Sequence, residues 1–202
     1  HYTWYVPQNI QGLFNVINKS VDKSAKCLNR NVQGISQSDT MSAVVSRLDK
    51  MFDEGLYWHG NEPCHQVAYL YDAAGAPWKT QQRIHHILNT EYNDTPGGLS
   101  GNDDAGQMSA WYVFSAIGFY PVCPSTPYYY IGTPSFDKVT FNLENGKKFE
   151  IQAHGVGDKA FYIQKTLLNG KPMSGYQLSH DDILKGGNLE FWMGERPANE
   201  SK

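Results

Sequence analysis

The hydrophobic rhythm of this 202-residue chain changes near Pro121, and that change limits its architecture more than any other feature. Upstream, apolar residues recur every three or four positions, the spacing of one helix face. Ile10, Leu13, Phe14 and Ile17 make one such stripe. Met41, Val44, Val45, Leu48, Met51 and Phe52 make a second, with Ser38 or Asp39 as N-cap and Gly55 as its stop. Pro63 suits the first turn of a third helix running through Val67 and Leu70 to about Gly75. Pro77 opens a fourth, with Trp78, Ile84, Ile87, Leu88 and Tyr92 turned inward, and a fifth is predicted from about Ala105 to Ile117, ended by Gly118. Downstream the period is two. Val139, Phe141 and Leu143 alternate with polar residues, Asn145-Gly146 marks a hairpin, and Phe149 and Ile151 resume the alternation. A strand over residues 161 to 168 leads to a second hairpin signal, Asn169-Gly170, and residues 188 to 193 form a closing strand. The predicted fold class is therefore α+β: a helical part over residues 1–122, then a small antiparallel β module over 123–202. About five helices do not close a helical toroid by themselves.

Charge narrows the function. The net charge is −3 and no basic block exists, so nucleic acid is an unfavourable partner. No run reaches the roughly 18 apolar residues of a membrane span. Thirteen Tyr and five Trp suit either an aromatic-rich core or a protein that handles sugars, whose C–H faces stack on rings while Tyr and Trp tips hydrogen-bond. Cys27, Cys64 and Cys123 lack metal-type spacing, and an odd count leaves at least one thiol free. The opening His1-Tyr2-Thr3-Trp4 without an initiator Met reads as a processed product or a piece of a longer chain.

Three loops are candidates for chemistry. The strongest is Gly101-Asn102-Asp103-Asp104-Ala105-Gly106-Gln107, a glycine-flanked acidic turn at the start of an apolar helix. A helix cap needs one acidic residue; two carboxylates, an Asn and a Gln exceed that need. All carry oxygen donors, which select hard cations such as Ca²⁺, although the spacing is not that of an EF-hand. The second loop is Trp58-His59-Gly60-Asn61-Glu62-Pro63. Glu62 precedes a proline, which biases it toward an extended conformation just outside the helix. It is either a charge at the helix N-terminus or a site ligand, and Trp58 suits the floor of a sugar subsite. The third is the aromatic stretch from Tyr2 to Asn9. Among the histidines, His85 and His86 read as surface and His154 and His180 as structural, while His65 follows the Glu62 loop closely enough to reach a site.

The blocks Gly60-Asn61-Glu62-Pro63, Tyr69-Leu70-Tyr71, Gly75-Ala76-Pro77-Trp78-Lys79-Thr80-Gln81, Gly101 through Tyr112, and Gly118-Phe119-Tyr120-Pro121, together with Tyr2-Thr3-Trp4-Tyr5-Val6-Pro7, resemble glycoside hydrolase family 92, the bacterial exo-acting α-mannosidases. The resemblance runs in order over nearly the whole chain. It implies the later helices of an (α/α)₆ toroid followed by the closing β module of a secreted enzyme, periplasmic or extracellular. It implies Ca²⁺ as cofactor, mannose-containing glycans as substrate, and inversion at the anomeric carbon. Asp104 matches the family's general base, with Asp103 beside it. Trp58, His59, Asn61 and Glu62 would contact substrate, and Glu62, Asn102 and Asp104 would hold the metal. The family's general acid is a Glu expected just before the Tyr2–Pro7 block, so the N-terminal remainder of a parent enzyme is the implied partner and the isolated chain is expected to be inactive. A non-catalytic carbohydrate-binding or structural module, with the acidic turn merely capping a helix, is the competing expectation.

Overall fold

A computed structural model describes residues 2–27 and 37–198; the side chains of residues 21–27 and 37–42 lie outside that description, and with them the proposed Ser38 or Asp39 cap, Met41 and Cys27. The helices are α1 (Ile10–Cys27), α2 (Gln37–Asp53), α3 (Leu70–Ala73), α4 (Pro77–Thr90) and α5 (Gln107–Ile117), followed in the β part by the short α6 (His180–Leu184). Their apolar stripes account for the packing. Leu13, Phe14 and Ile17 of α1 meet Val44, Leu48 and Met51 of α2 and Leu70 and Tyr71 of α3 in one buried cluster. Ile84, Ile87 and Leu88 of α4 meet Trp111 and Ala116 of α5 in another. Each fully buried Leu, Ile or Phe contributes on the order of 1.5–3 kcal/mol. That outweighs the ion pair from Arg83 to Asp53 (2.6 Å), whose Asp end is exposed and which is of a kind worth about 0–1 kcal/mol, while Lys79 meets Asp49 (2.8 Å) in a more buried setting where desolvation offsets the attraction. Those pairs fix how α4 lies on α2 more than how stable the contact is.

The third predicted helix is broken into pieces. Two 3₁₀ turns, Glu62–Cys64 and Val67–Tyr69, lead into α3, which ends before Gly75 at φ +77°. Residues 64 to 72 are all buried, so no solvent-facing stripe exists to favour one regular amphipathic helix. Gln66 also turns inward, its amide donating to the Pro63 carbonyl (3.1 Å).

The β part holds two sheets. In the first, β1 (Phe119–Tyr120), β2 (Tyr128–Ile131) and β7 (Gln177–Ser179) lie in the order β1-β2-β7. In the second, the order is β3 (Lys138–Asn142), β4 (Lys148–His154), β8 (Gly187–Gly194), β5 (Tyr162–Leu168), β6 (Lys171–Pro172). Both Asn-Gly hairpins form, and Asn169 and Gly170 take φ of +51° and +75°, the left-handed pair that a tight two-residue turn requires. Pairing of Val139 with Ile151 and Phe141 with Phe149 puts these side chains on one face. There they join Leu189 and Phe191 over Phe119 and Ile117. Every pair but one is antiparallel; β4 and β8 run parallel, joined through the intervening strands and α6. The β part is tied to the helices by the Gln81 side-chain oxygen, which accepts from the Ile163 N–H (3.1 Å).

Candidate active site

The acidic turn is built by left-handed backbone. Asp104, Ala105 and Gly106 have φ of +34°, +58° and +85° in succession, so α5 begins at Gln107 and not at Ala105. Alternation of sequence chemistry gives no hint of this, because two of the three residues have a Cβ and disfavour that region by about 1–2 kcal/mol each. The turn is held by Asp103. Its Oδ1 accepts from the Ser109 N–H and its Oδ2 from the Ser109 hydroxyl, both at 2.8 Å, and its carbonyl accepts from the Gln107 N–H (2.7 Å). The hydrogen bonds from Ser109, backbone first and then side chain, hold the Asp103 carboxyl below its ordinary range. Asp103 therefore caps the helix, and Asp104 is left over for other work.

The second loop brings Glu62 to Asp104. Asn61, not Glu62, is the extended residue (φ −126°, ψ 114°); Glu62 opens the 3₁₀ turn, its carbonyl accepting from the His65 N–H (3.0 Å). The loops touch through two glycines. A Cβ on Gly101 would lie 2.4 Å from the Gly60 carbonyl oxygen, and a Cβ on Gly60 would lie 2.6 Å from that of Ser100. With no side chains between them, the carboxyls of Glu62 and Asp104 line the same cavity and act on one another. The Glu62 charge, then a hydrogen bond with its side chain, push the Asp104 carboxyl above its ordinary pKa. The second Glu62 oxygen, Oε1, is buried without a hydrogen-bond partner. Two carboxyls in one cavity wall, one with an orphaned oxygen, form an oxygen-donor set that suits a hard divalent cation. Among the described residues no group of three or more His, Cys, Asp or Glu gathers to hold a metal, so remaining ligands would have to be neutral oxygens.

Around this pair lies a cavity of about 330 Å³, lined by Tyr5, Pro7, Glu62, His65, Gln66, Asp104, Gln107, Tyr120 and the prolines that follow β1. Tyr5 and Pro7 bring the third sequence candidate, the aromatic N-terminal loop, to the same place. A larger concavity of about 400 Å³ lies along α4 and α5, but Asp94 is its only ionisable carboxyl; the paired carboxyls argue for the smaller one.

The other candidates separate. His59 is fully buried and does not face the cavity: Tyr57 Oη lies 2.7 Å from its Nδ1 and Tyr92 Oη 2.6 Å from its Nε2. Burial, aided by the neighbouring His65, lowers its pKa to about 3. Both nitrogens are thus engaged by tyrosine hydroxyls, and His59, expected from the sequence to contact substrate, lies behind the cavity wall. Trp58 is half-exposed, its ring lying over Gly60, outside the cavity wall. Asn102 is exposed and Asn61 half-buried, and neither lines the cavity. Sequence reasoning missed Gln66 and Tyr120, and pointed to Gln107 only as part of the turn. Tyr120 follows the helix stop at Gly118, a position that periodicity reads as a join.

The family model for the glycosyl hydrolase family 92 catalytic domain matches residues 1–195. The chain belongs to glycosyl hydrolase family 92. A family GH92 α-mannosidase from Bacteroides thetaiotaomicron is 40% identical, with a TM-score of 0.82 over 98% of this chain and 25% of its own. A GH92 inverting mannosidase from the same organism is 36% identical, with a TM-score of 0.76 over 98% of this chain and 27% of its own. A secreted glycosidase of Arthroderma benhamiae is 34% identical over 161 residues, 78% of this chain and 21% of that protein. This GH92 chain thus spans about a quarter of the length of the solved relatives it matches.

Proposed function

We propose that this GH92 chain supplies the general-base side of an inverting, calcium-dependent exo-α-mannosidase acting on mannose-containing glycans. The observation that carries the reading is the Glu62–Asp104 pair in its cavity. The Glu62 carboxyl acts directly on that of Asp104, and carboxyls that interact side chain to side chain are too close to be an acid–base pair spanning a glycosidic bond. That task needs roughly 5–5.5 Å for retention or 6.5–9.5 Å for inversion. Glu62 is therefore not the acid that complements Asp104, and the two carboxyls act on one side of the sugar.

Asp104 is assigned as the base that orients a water and takes its proton as the oxygen attacks the anomeric carbon. The left-handed turn, pinned by Asp103, sets where the Asp104 backbone lies, and so where its carboxyl enters the cavity, which a base that must meet a water needs. Glu62 and Asp104 are the candidates to hold Ca²⁺, and Asn102, of the same turn, would join them only by turning its amide inward. When bound, that ion supplies positive charge that keeps both carboxylates ionised and grips sugar hydroxyls. Tyr5 forms an aromatic wall for the apolar face of the ring. The proton for the leaving oxygen is assigned to an acid in the N-terminal remainder of the protein. The cap reading of the acidic turn is weakened because Asp103 alone satisfies it. A secreted location follows by analogy with the relative from Arthroderma benhamiae, and no helix among the described residues is long and apolar enough to cross a membrane.

The test is the anomer released. Proton NMR of an aryl α-mannoside treated with the full-length protein should show β-mannose first, with turnover lost on chelation and restored by Ca²⁺. Initial release of α-mannose, or turnover indifferent to chelation, would sink the inverting or the calcium part of the proposal, respectively.

A further inference from the structure

We propose that Gln107 is a substrate-contacting residue, its Oε1 oxygen accepting a hydrogen bond from one hydroxyl of the bound sugar, and that His65 and Tyr120 are the positioning residues that aim it. The proposal rests on the glycosidase reading of the Glu62–Asp104 cavity and deepens it.

The geometry leaves one orientation for the amide. His65 Nε2 lies 3.0 Å from the His59 carbonyl oxygen. A carbonyl has no hydrogen to give, so Nε2 carries the proton. The ring is buried against His59 and Trp111, and neither of its nitrogens faces a carboxylate, so the ring is neutral. A neutral ring with its proton on Nε2 has a lone pair on Nδ1. Gln107 Nε2 lies 3.3 Å from that Nδ1 and 3.0 Å from Tyr120 Oη. Both amide hydrogens are thus spoken for, one to each partner. Turning the amide over would set Oε1 against the Nδ1 lone pair, acceptor against acceptor. His65 is itself clamped by α5, since the Trp111 indole N–H donates to the His65 carbonyl (2.9 Å). Gln107 and Trp111 are one helical turn apart, so the same helix grips the ring of His65 with one side chain and its backbone with the other.

Among the described residues Gln107 Oε1 accepts no hydrogen bond, and the residue is half-buried in the cavity wall beside Glu62 and Asp104. The Tyr120 hydroxyl accepts from Gln107 and keeps its own hydrogen to give. An amide oxygen next to two carboxyls suits a neutral, hydroxyl-bearing ring and repels an anion. The direction of the Oε1 lone pairs is set by the two side chains that fix the amide.

The experiment uses the full-length protein, wild type and Gln107→Met, with an aryl α-mannoside and its four monodeoxy analogues. Loss of one net hydrogen bond predicts a fall in kcat/KM on the order of 10-fold for the parent sugar. One deoxy analogue should be hydrolysed equally by both proteins, because the bond it lacks is the one Gln107 makes. His65→Phe, which removes the acceptor at Nδ1, should blunt the penalty at the same ring position. Apparent Ca²⁺ affinity should stay within about twofold, given that one neutral hydrogen bond is at stake. A uniform loss across all analogues, or a tenfold weaker Ca²⁺ response that makes Gln107 a metal ligand, would overturn the proposal. A second readout needs neither variant nor turnover: ¹⁵N NMR of His65 should show the Nε2–H tautomer. The Nδ1–H tautomer would reverse the amide and refute the assignment. Absence of α-mannoside hydrolysis by wild type alongside the Nε2–H tautomer would count against the mannosidase reading and support the amide orientation.

Discussion

Replacing Gly101 by alanine should disable the site without touching a charge. Its added Cβ would sit 2.4 Å from the Gly60 carbonyl oxygen and 2.6 Å from the Gly60 Cα. Ordinary C···O contacts begin near 3.3 Å, so the loops must part by about 1 Å. Both contacts are to backbone, which cannot swing aside as a long side chain would. Gly101 is not among the glycines with positive φ, so the backbone itself would accept alanine and the clash alone decides. Glu62 and Asp104 sit two and three residues beyond the contact, and a misplacement of about 1 Å in a reacting constellation costs on the order of 10²-fold. The predicted result is a fall of that size in kcat/KM for the full-length protein on an aryl α-mannoside, with destabilisation of about 1–3 kcal/mol from overpacking. Gly97→Ala is the control. It lies in the same connection, has open space around its Cβ position, and should leave activity within about twofold, as expected of a surface substitution. Gly101→Ala activity equal to that of Gly97→Ala would show that the glycine contact does not set the carboxyl geometry.

Asp104→Asn in the full-length protein should cost about 10²–10⁴-fold in turnover, whereas Asp103→Asn should mainly lower the melting temperature, as for a lost helix cap; equal kinetic losses would erase the division of roles. His59 predicts acid lability. Its folded pKa of about 3 lies below the unfolded value near 6.5, so the stability it contributes is complete above pH 6.5 and is lost as pH falls toward 3. Denaturant midpoints should drop by the equivalent of ~1.4 kcal/mol per pH unit across that window, and His59→Gln should flatten the slope; identical profiles for the two would contradict it. Phe149→Ala, which empties a fully buried position of the β core, should destabilise by about 3–5 kcal/mol in a chemical melt, and a loss below 1 kcal/mol would refute the packing described.

Much of this was legible in the sequence because burial is periodic. The stripes of α1, α4 and α5, the Asn-Gly hairpins and the alternation around Phe149 each report on one neighbour at a time. The two carboxylate loops were legible for another reason: Glu62 and Asp104 are charged groups next to segments too apolar to be surface. What resisted was non-local. The parallel pairing of β4 with β8 depends on residues far apart in sequence. His59 carries a polar side chain in a polar-looking loop, and only the tyrosines arriving from either side of it, Tyr57 and Tyr92, reveal it as core. Tyr120 enters the cavity because β1 turns back under α5, which no local pattern announces.

The three left-handed residues before α5 carry a consequence for how such a site drifts. Ala105→Gly would relieve about 1–2 kcal/mol of backbone strain while losing about 0.5–1 kcal/mol to the greater freedom of the unfolded chain. Thermal stability would therefore stay level or rise with that exchange. Placement of the Asp104 carboxyl would loosen, since its neighbour in the turn would gain freedom to flex. Selection for a folded protein would leave the position open, and only selection for turnover would hold it to a residue that resists its own conformation.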